Sequence, residues 1–159
     1  MSSEKENVMT DFELVVEAMK ARERAYTPYS HHNVGAALEC ADGSIFLGCN
    51  VENAGYTPSN CAERTAIFKA VSEGYYDYTR IAVVGGINGL PHINVCAPCG
   101  VCRQVMMEFV EPEKFEIIMA DVDHADEIDL ITEDDVKITK MTLAELLPLG
   151  FGPKNLGVK

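Results

Sequence analysis

Basic side chains are scarce in this chain: 13 Lys and Arg stand against 25 Asp and Glu among 159 residues, a formal net charge of -12. That balance repels the phosphate backbone of DNA or RNA and the anionic surface of a membrane, so neither is an expected partner. The cations Lys20, Arg22 and Arg24 are interleaved with acids and make no patch. The dense acidic runs, Ala125-Asp126-Glu127 and Glu133-Asp134-Asp135, read as solvated faces.

Long apolar runs are missing too, and none approaches the roughly 18 residues that suggest a transmembrane helix. The start Met1-Ser2-Ser3-Glu4-Lys5 has no basic segment leading into an apolar one, so an export signal is unsupported and a cytoplasmic location is expected. In that compartment thiols stay reduced, and the six cysteines read as metal-binding or redox-active before they read as bridges. Internal repeats and low-complexity linkers are absent as well.

What is present suffices for one ordinary globular domain: 47% of the residues are hydrophobic. One domain is expected over residues 1–159, with 1–9 as a flexible N-terminal extension. A chain of this size buries roughly 68–70% of its unfolded surface, so a metal is not needed in place of a core. A metal here is therefore expected to be catalytic first.

Helical spacing of Phe12, Val15, Val16 and Met19 predicts a first helix from Thr10 or Asp11 to about Ala25, ended by Thr27-Pro28. Val34, Ala36 and Leu38 alternate along one strand, Ala41-Asp42-Gly43 turns, and Ile45 and Leu47 alternate along the next. Asn60 is the predicted cap of a helix from Cys61 to Glu73, stopped by Gly74. Ile81 to Val84 form a strand buried on both faces, and a second motif helix runs from Pro98 or Cys99 to Val110. Phe115 to Met119 and Val136 to Thr139 are further strands, and Thr142 to Glu145 has capping-box spacing. This order predicts an α/β layered domain with a mixed sheet of about five strands between helices.

The segments Asn60-Cys61-Ala62-Glu63 and Pro98-Cys99-Gly100-Val101-Cys102 carry the chemistry. Cys61, Cys99 and Cys102 are three thiol ligands for zinc, and a three-ligand site leaves one tetrahedral position for water. Cys61 and Cys99 each open a helix, where free N–H groups favour a thiolate, and Cys102 lies one turn on from Cys99. Glu63 is placed to reach the activated water as general acid/base, although at N3 above Asn60 it would equally complete a capping box. Three thiolates leave the centre net negative, which makes Arg64 the candidate partner of the ligand sulfurs, with Gln104 as a neutral assistant.

Cys96 extends the series to C-x-x-C-x-x-C. Because Pro98 precedes the helix, Cys96 is expected to leave along the incoming loop rather than join the ligands. An iron–sulfur centre would need a fourth cysteine, Cys61 or Cys49, and would leave Cys-Ala-Glu unexplained. A zinc-stapled interaction domain would use Cys96 as its fourth ligand. Cys40 and Cys49 read as small core residues.

With these residues in place the chain resembles the small zinc-dependent cytidine deaminases, particularly the homotetrameric type, over most of its length. The resemblance is carried by Ala25 to Ser30, Val34-Gly35-Ala36-Ala37, Gly48 to Ala54, Asn60 to Ala66, Pro98 to Gln104, and Glu145-Leu146-Leu147-Pro148 before Phe151. It implies a three-layer fold, a Zn2+ cofactor, and hydrolysis of cytidine and 2′-deoxycytidine with Glu63 relaying protons. It also implies that Asn50 and Glu52 bind the ribose hydroxyls, that Tyr56 lies near the sugar, and that the backbone at Ala62 meets the pyrimidine. Phe151 would enter the site of a neighbouring subunit in a homotetramer. His32 departs from the family's usual phenylalanine near the base. The rival substrates, another cytosine-containing small molecule or a polynucleotide, are disfavoured by the ribose pair and by the net acidity.

Overall fold

The first helix begins where threonine and glutamate satisfy each other's backbone. In the computed structural model, which describes residues 8–159, α1 spans Asp11–Arg22, with Thr10 and Glu13 forming a reciprocal capping box. It stops three residues before Ala25, and the buried stripe is Leu14, Val15, Ala18 and Met19. Phe12 and Val16, predicted core residues, sit at the margin of that stripe and are only partly buried. Of the predicted extension, residues 1–7 lie outside the described residues, while Met9 packs on the core and its carbonyl accepts from Arg80.

Strands β1 (His32–Cys40) and β2 (Ile45–Cys49) form the expected hairpin, and Gly43 takes the positive φ that its turn requires. Helix α2 follows at Ala62–Ser72, then β3 (Tyr78–Ile87), the two-residue β4 (His92–Ile93), α3 (Gly100–Phe109) and β5 (Glu116–Asp123). Strand β6 (Val136–Thr142) and the short α4 (Leu143–Leu146) complete the regular elements, with Thr142 and Glu145 forming the expected capping box.

One sheet contains six strands among the described residues, in the order β2-β1-β3-β5, with both β4 and β6 paired to β5. Val122 of β5 faces Ile93 of β4 and Val136 of β6, so those two strands flank β5. The strand beyond the five expected is β4, too short to leave a pattern in the sequence. Among these six strands only β3 and β5 pair in parallel, and the crossover between them carries α3, as parallel pairing demands.

Helix α1 covers one face of the sheet over Ala37, Ala82, Val84 and Ile118. Helices α2 and α3 cover the other over Ala36, Leu38, Ile81, Val83 and Ile117. The result is the three-layer architecture, and β1 and β3 are buried on both faces. Two glycines set the helix spacing. A Cβ at Gly35 would overlap the backbone of Ala18 and Arg22 in α1, and one at Gly48 would overlap Ala62 and Ala66 in α2.

Both G35A and G48A are therefore expected to lower unfolding free energy by about 1–3 kcal/mol, measured by urea denaturation. G48A pushes on the helix that begins at Cys61, so it alone should also weaken zinc binding in a chelator competition.

Candidate metal centre and substrate pocket

Cys61 occupies the N-cap of α2 and Cys99 the N-cap of α3, and neither helix has a side-chain cap hydrogen bond. Both cysteines thus sit at the positive ends of helices whose first-turn N–H groups are left uncapped. Asn60, the predicted cap, instead donates its side-chain amide to Thr65 Oγ1 at 3.2 Å. The boundary shifts by one residue, so Glu63 stands at N2 and the capping-box role considered for it does not arise.

Cys61, Cys99 and Cys102 bring their sulfurs within 4.8 Å of one another. The Cys61–Cys99 Sγ–Sγ distance is 3.7 Å, and Zn–S bonds of about 2.3 Å in a tetrahedron require an edge of about 3.8 Å. The donor set and its spacing fit zinc. Cys96 is outside the group and packs with its sulfur against Gly85 of β3. Burial, with the nearby Glu63 and Cys61 charges, pushes its thiol up to about 11. A four-cysteine centre, structural zinc or iron–sulfur, is therefore not assembled.

The Cys61 thiol is drawn down to about 5, first by the hydrogen bond from Cys102, then against burial by Arg64 and Cys99. Cys102 is raised, because it donates to the ionised Cys61 and is buried beside it. Arg64 lies 3.3 Å from the Cys61 sulfur. Burial works against its charge, but its bonds to Cys61 and Cys102 prevail and raise its pKa. Among the described residues its Nε is buried without a partner.

Glu63 is 3% exposed, and burial, reinforced by the Cys61 charge, raises its carboxyl pKa. It opens onto a cavity of about 320 Å³ lined by His32, Asn50, Glu52, Cys61, Ala62 and Cys99, among others. A larger cleft of about 940 Å³, between the end of α3 and the C-terminal segment, contains none of the thiols.

Asn50 and Glu52 are anchored as well as available. The Asn50 carbonyl oxygen accepts from Val34 N and its amide donates to the His32 carbonyl, both at 2.8 Å. One N–H and one lone pair remain. Glu52 accepts from Tyr29 N at 3.0 Å, Ser30 N at 3.1 Å and the Ser30 hydroxyl, leaving about one of its roughly four acceptor positions free. The Ser30 hydroxyl bond, followed by the backbone donors, holds Glu52 below the usual carboxylate range. Ser30 gave no separate signal in the sequence; a hydroxyl before the β1 strand is unremarkable until folding sets it against Glu52.

Other expected site residues lie further out. Tyr56 is 73% exposed and meets Tyr29 edge to face, outside the cavity lining. Phe151 is largely exposed and also outside it. Gln104 donates to the Phe151 carbonyl at 2.8 Å rather than to a ligand sulfur, so its assisting role at the thiols is replaced by one in holding the C-terminal segment.

Residues 9–119 match the family model described as the cytidine and deoxycytidylate deaminase zinc-binding region. The chain belongs to that family. It is 41% identical over 146 residues to a cytidine deaminase of Sporosarcina psychrophila, covering 90% of this chain and 92% of the relative. It superposes on the cytidine deaminase of Burkholderia pseudomallei with a TM-score of 0.71 at 44% identity, covering 90% of this chain and all of that one. A blasticidin-S deaminase of Bacillus cereus is 31% identical over 148 residues, covering 89% of this chain. Among the described residues no helix is long and apolar enough to cross a membrane.

C61S, C99S and C102S should each abolish stoichiometric zinc by elemental analysis, whereas C96S should retain it. Loss of zinc in C96S alone would contradict the three-thiol centre.

Proposed function

We propose that this deaminase hydrolyses cytidine, and 2′-deoxycytidine with it, to the corresponding uridine and ammonia. The observation that carries the reading is one cavity that reaches Cys61 and Cys99 of the three convergent thiols, together with a buried glutamate and two anchored polar side chains with spare valence. Cys61, Cys99 and Cys102 would hold zinc. The metal's contribution is to acidify water, from a pKa of about 15.7 to about 7, making a nucleophile available at neutral pH.

Glu63 then moves the protons. It takes one from the attacking water and delivers it to ring N3 as the water oxygen adds to C4. It next takes the proton left on that oxygen and passes it to the exocyclic amine. The C4–N4 bond breaks, ammonia leaves, and C4 becomes a carbonyl, with Glu63 returned to its starting state. A carboxyl whose pKa is raised by burial suits both halves of this relay, since it holds a proton more readily than an exposed one. Arg64 offsets the negative charge of the thiolates, which would otherwise oppose acidification of water.

Asn50 and Glu52 meet the ribose through the donor and acceptor positions their scaffold bonds leave free. His32 lines the cavity where the base enters, and the Ala62 backbone faces the pyrimidine. The assembly we favour is a homotetramer in which Phe151, exposed on its own subunit and held by Gln104, reaches a neighbour's pocket, with Tyr56 at the rim. We place the protein in the cytoplasm, where thiol ligands stay reduced.

E63Q should retain zinc yet lose about 10²–10⁴-fold in kcat, followed by ultraviolet change and ammonia release with cytidine; near-wild-type turnover would end the assignment. For the shared site, E63Q and F151A subunits mixed and reassembled should regain activity that neither has alone, because some hybrid pockets combine an intact Glu63 with an intact Phe151. Failure to complement in verified mixed oligomers would count against a shared pocket.

A further inference from the structure

Arg22 is a buried cation with no carboxylate partner among the described residues: it is 6% exposed and makes no ion pair. Its guanidinium donates instead to three backbone carbonyls, Asn33 at 2.9 Å, Gly86 at 2.8 Å and Ile87 at 3.1 Å. Asn33 and Gly86 face each other across β1 and β3, as do His32 and Ile87. The side chain therefore ties down the end of the sheet at which β1 begins and β3 finishes. Burying a guanidinium without a counter-charge is costly unless its donors are well matched. A conformation maintained at that cost calls for an account beyond core filling.

Both tied ends lead to the site. On the β3 side, Gly85 lies against Cys96 and Gly86 against Ile93, so closely that a Cβ at either glycine would overlap those side chains. Cys96 and Ile93 belong to the segment that delivers Cys99. On the β1 side, Asn33 accepts from Thr27, and the turn beginning there supplies the Tyr29 and Ser30 donors that orient Glu52. His32, which lines the cavity, is the residue immediately before Asn33. Asn88, just past β3, donates to the His31 carbonyl at 2.8 Å and closes the circuit between the two segments.

We infer that Arg22 is a positioning residue for the deaminase site, clamping the β1 start to the β3 end so that the Cys99 loop and the Glu52 wall hold one relative placement. It lies outside the thiol cluster and the cavity lining and acts through backbone carbonyls. The inference deepens the reading given under Proposed function and rests on it for the identity of the pocket. Its zinc component can be measured without turnover.

The test compares R22M and R22K with L14A, which removes a fully buried side chain from the same helix and the same face of the sheet. Each full-length protein is assayed for urea stability, zinc affinity by chelator competition, and kcat and KM for cytidine. R22M should lose about tenfold in zinc affinity and show a raised KM. R22K, which keeps a cation and part of the donor set, should recover part of both. L14A should be destabilised yet keep zinc affinity and KM near the parent values. If R22M does not fold, R22K against L14A decides the matter, with an intermediate loss of zinc affinity expected. Zinc affinity and KM in the Arg22 variants that follow stability alone, as in L14A, would overturn the inference. Absence of cytidine turnover in the parent protein would instead overturn the functional reading, while the zinc comparison would still judge the clamp.

Discussion

Bringing three cysteine sulfurs within 4.8 Å is unfavourable once they ionise, unless positive charge lies among them. The fold supplies it from three sources. Two helices begin at the cluster, each presenting uncapped N–H groups, and Arg64 reaches the Cys61 sulfur from the first turn of α2. Zinc would complete the neutralisation. The α2 and α3 placements, the glycine beneath α2 and the buried position of Glu63 are all conditions for this one electrostatic arrangement.

Two glutamates in one pocket illustrate how environment separates chemically identical side chains. Glu63 is buried and its pKa is raised, which suits a group that must accept and release protons. Glu52, at the outer wall, accepts three hydrogen bonds and its pKa is lowered, which suits a fixed acceptor. The sequence offers two Glu residues; the difference between them is made by what folds around each.

Much of the fold was legible because it was written in local periodicity. The start of α1, the α4 capping box, the β1–β2 hairpin and the doubly buried β3 all follow from short-range pattern. Errors fell where long-range contacts overrode it. Phe12 and Val16 have helical spacing, but the close seat of α1 on Gly35 turns Leu14 and Ala18 inward instead. Asn60 looks like a cap until Thr65 engages its amide. Gln104 appears to serve the thiols until the C-terminal segment returns across α3 and takes its hydrogen bond. Strand β4 has no pattern because two residues cannot show a period.

The sequence by itself determined the donor set: Cys-x-x-Cys at the head of one helix, a third cysteine at the head of another, and a glutamate two residues beyond it, since helical spacing fixes which groups share a turn. It also fixed the acidity that disfavours polyanions. The place of Pro98 already pointed Cys96 away from the ligands, but tertiary structure alone decided where its sulfur goes, because β3 presents Gly85 as its seat. It likewise decided how much valence Asn50 and Glu52 retain for a ligand, and that Arg22 would meet carbonyls rather than carboxylates. Those outcomes depend on backbone groups from distant segments converging in space, and a linear pattern of side chains carries no record of where another segment's carbonyls and amides will point.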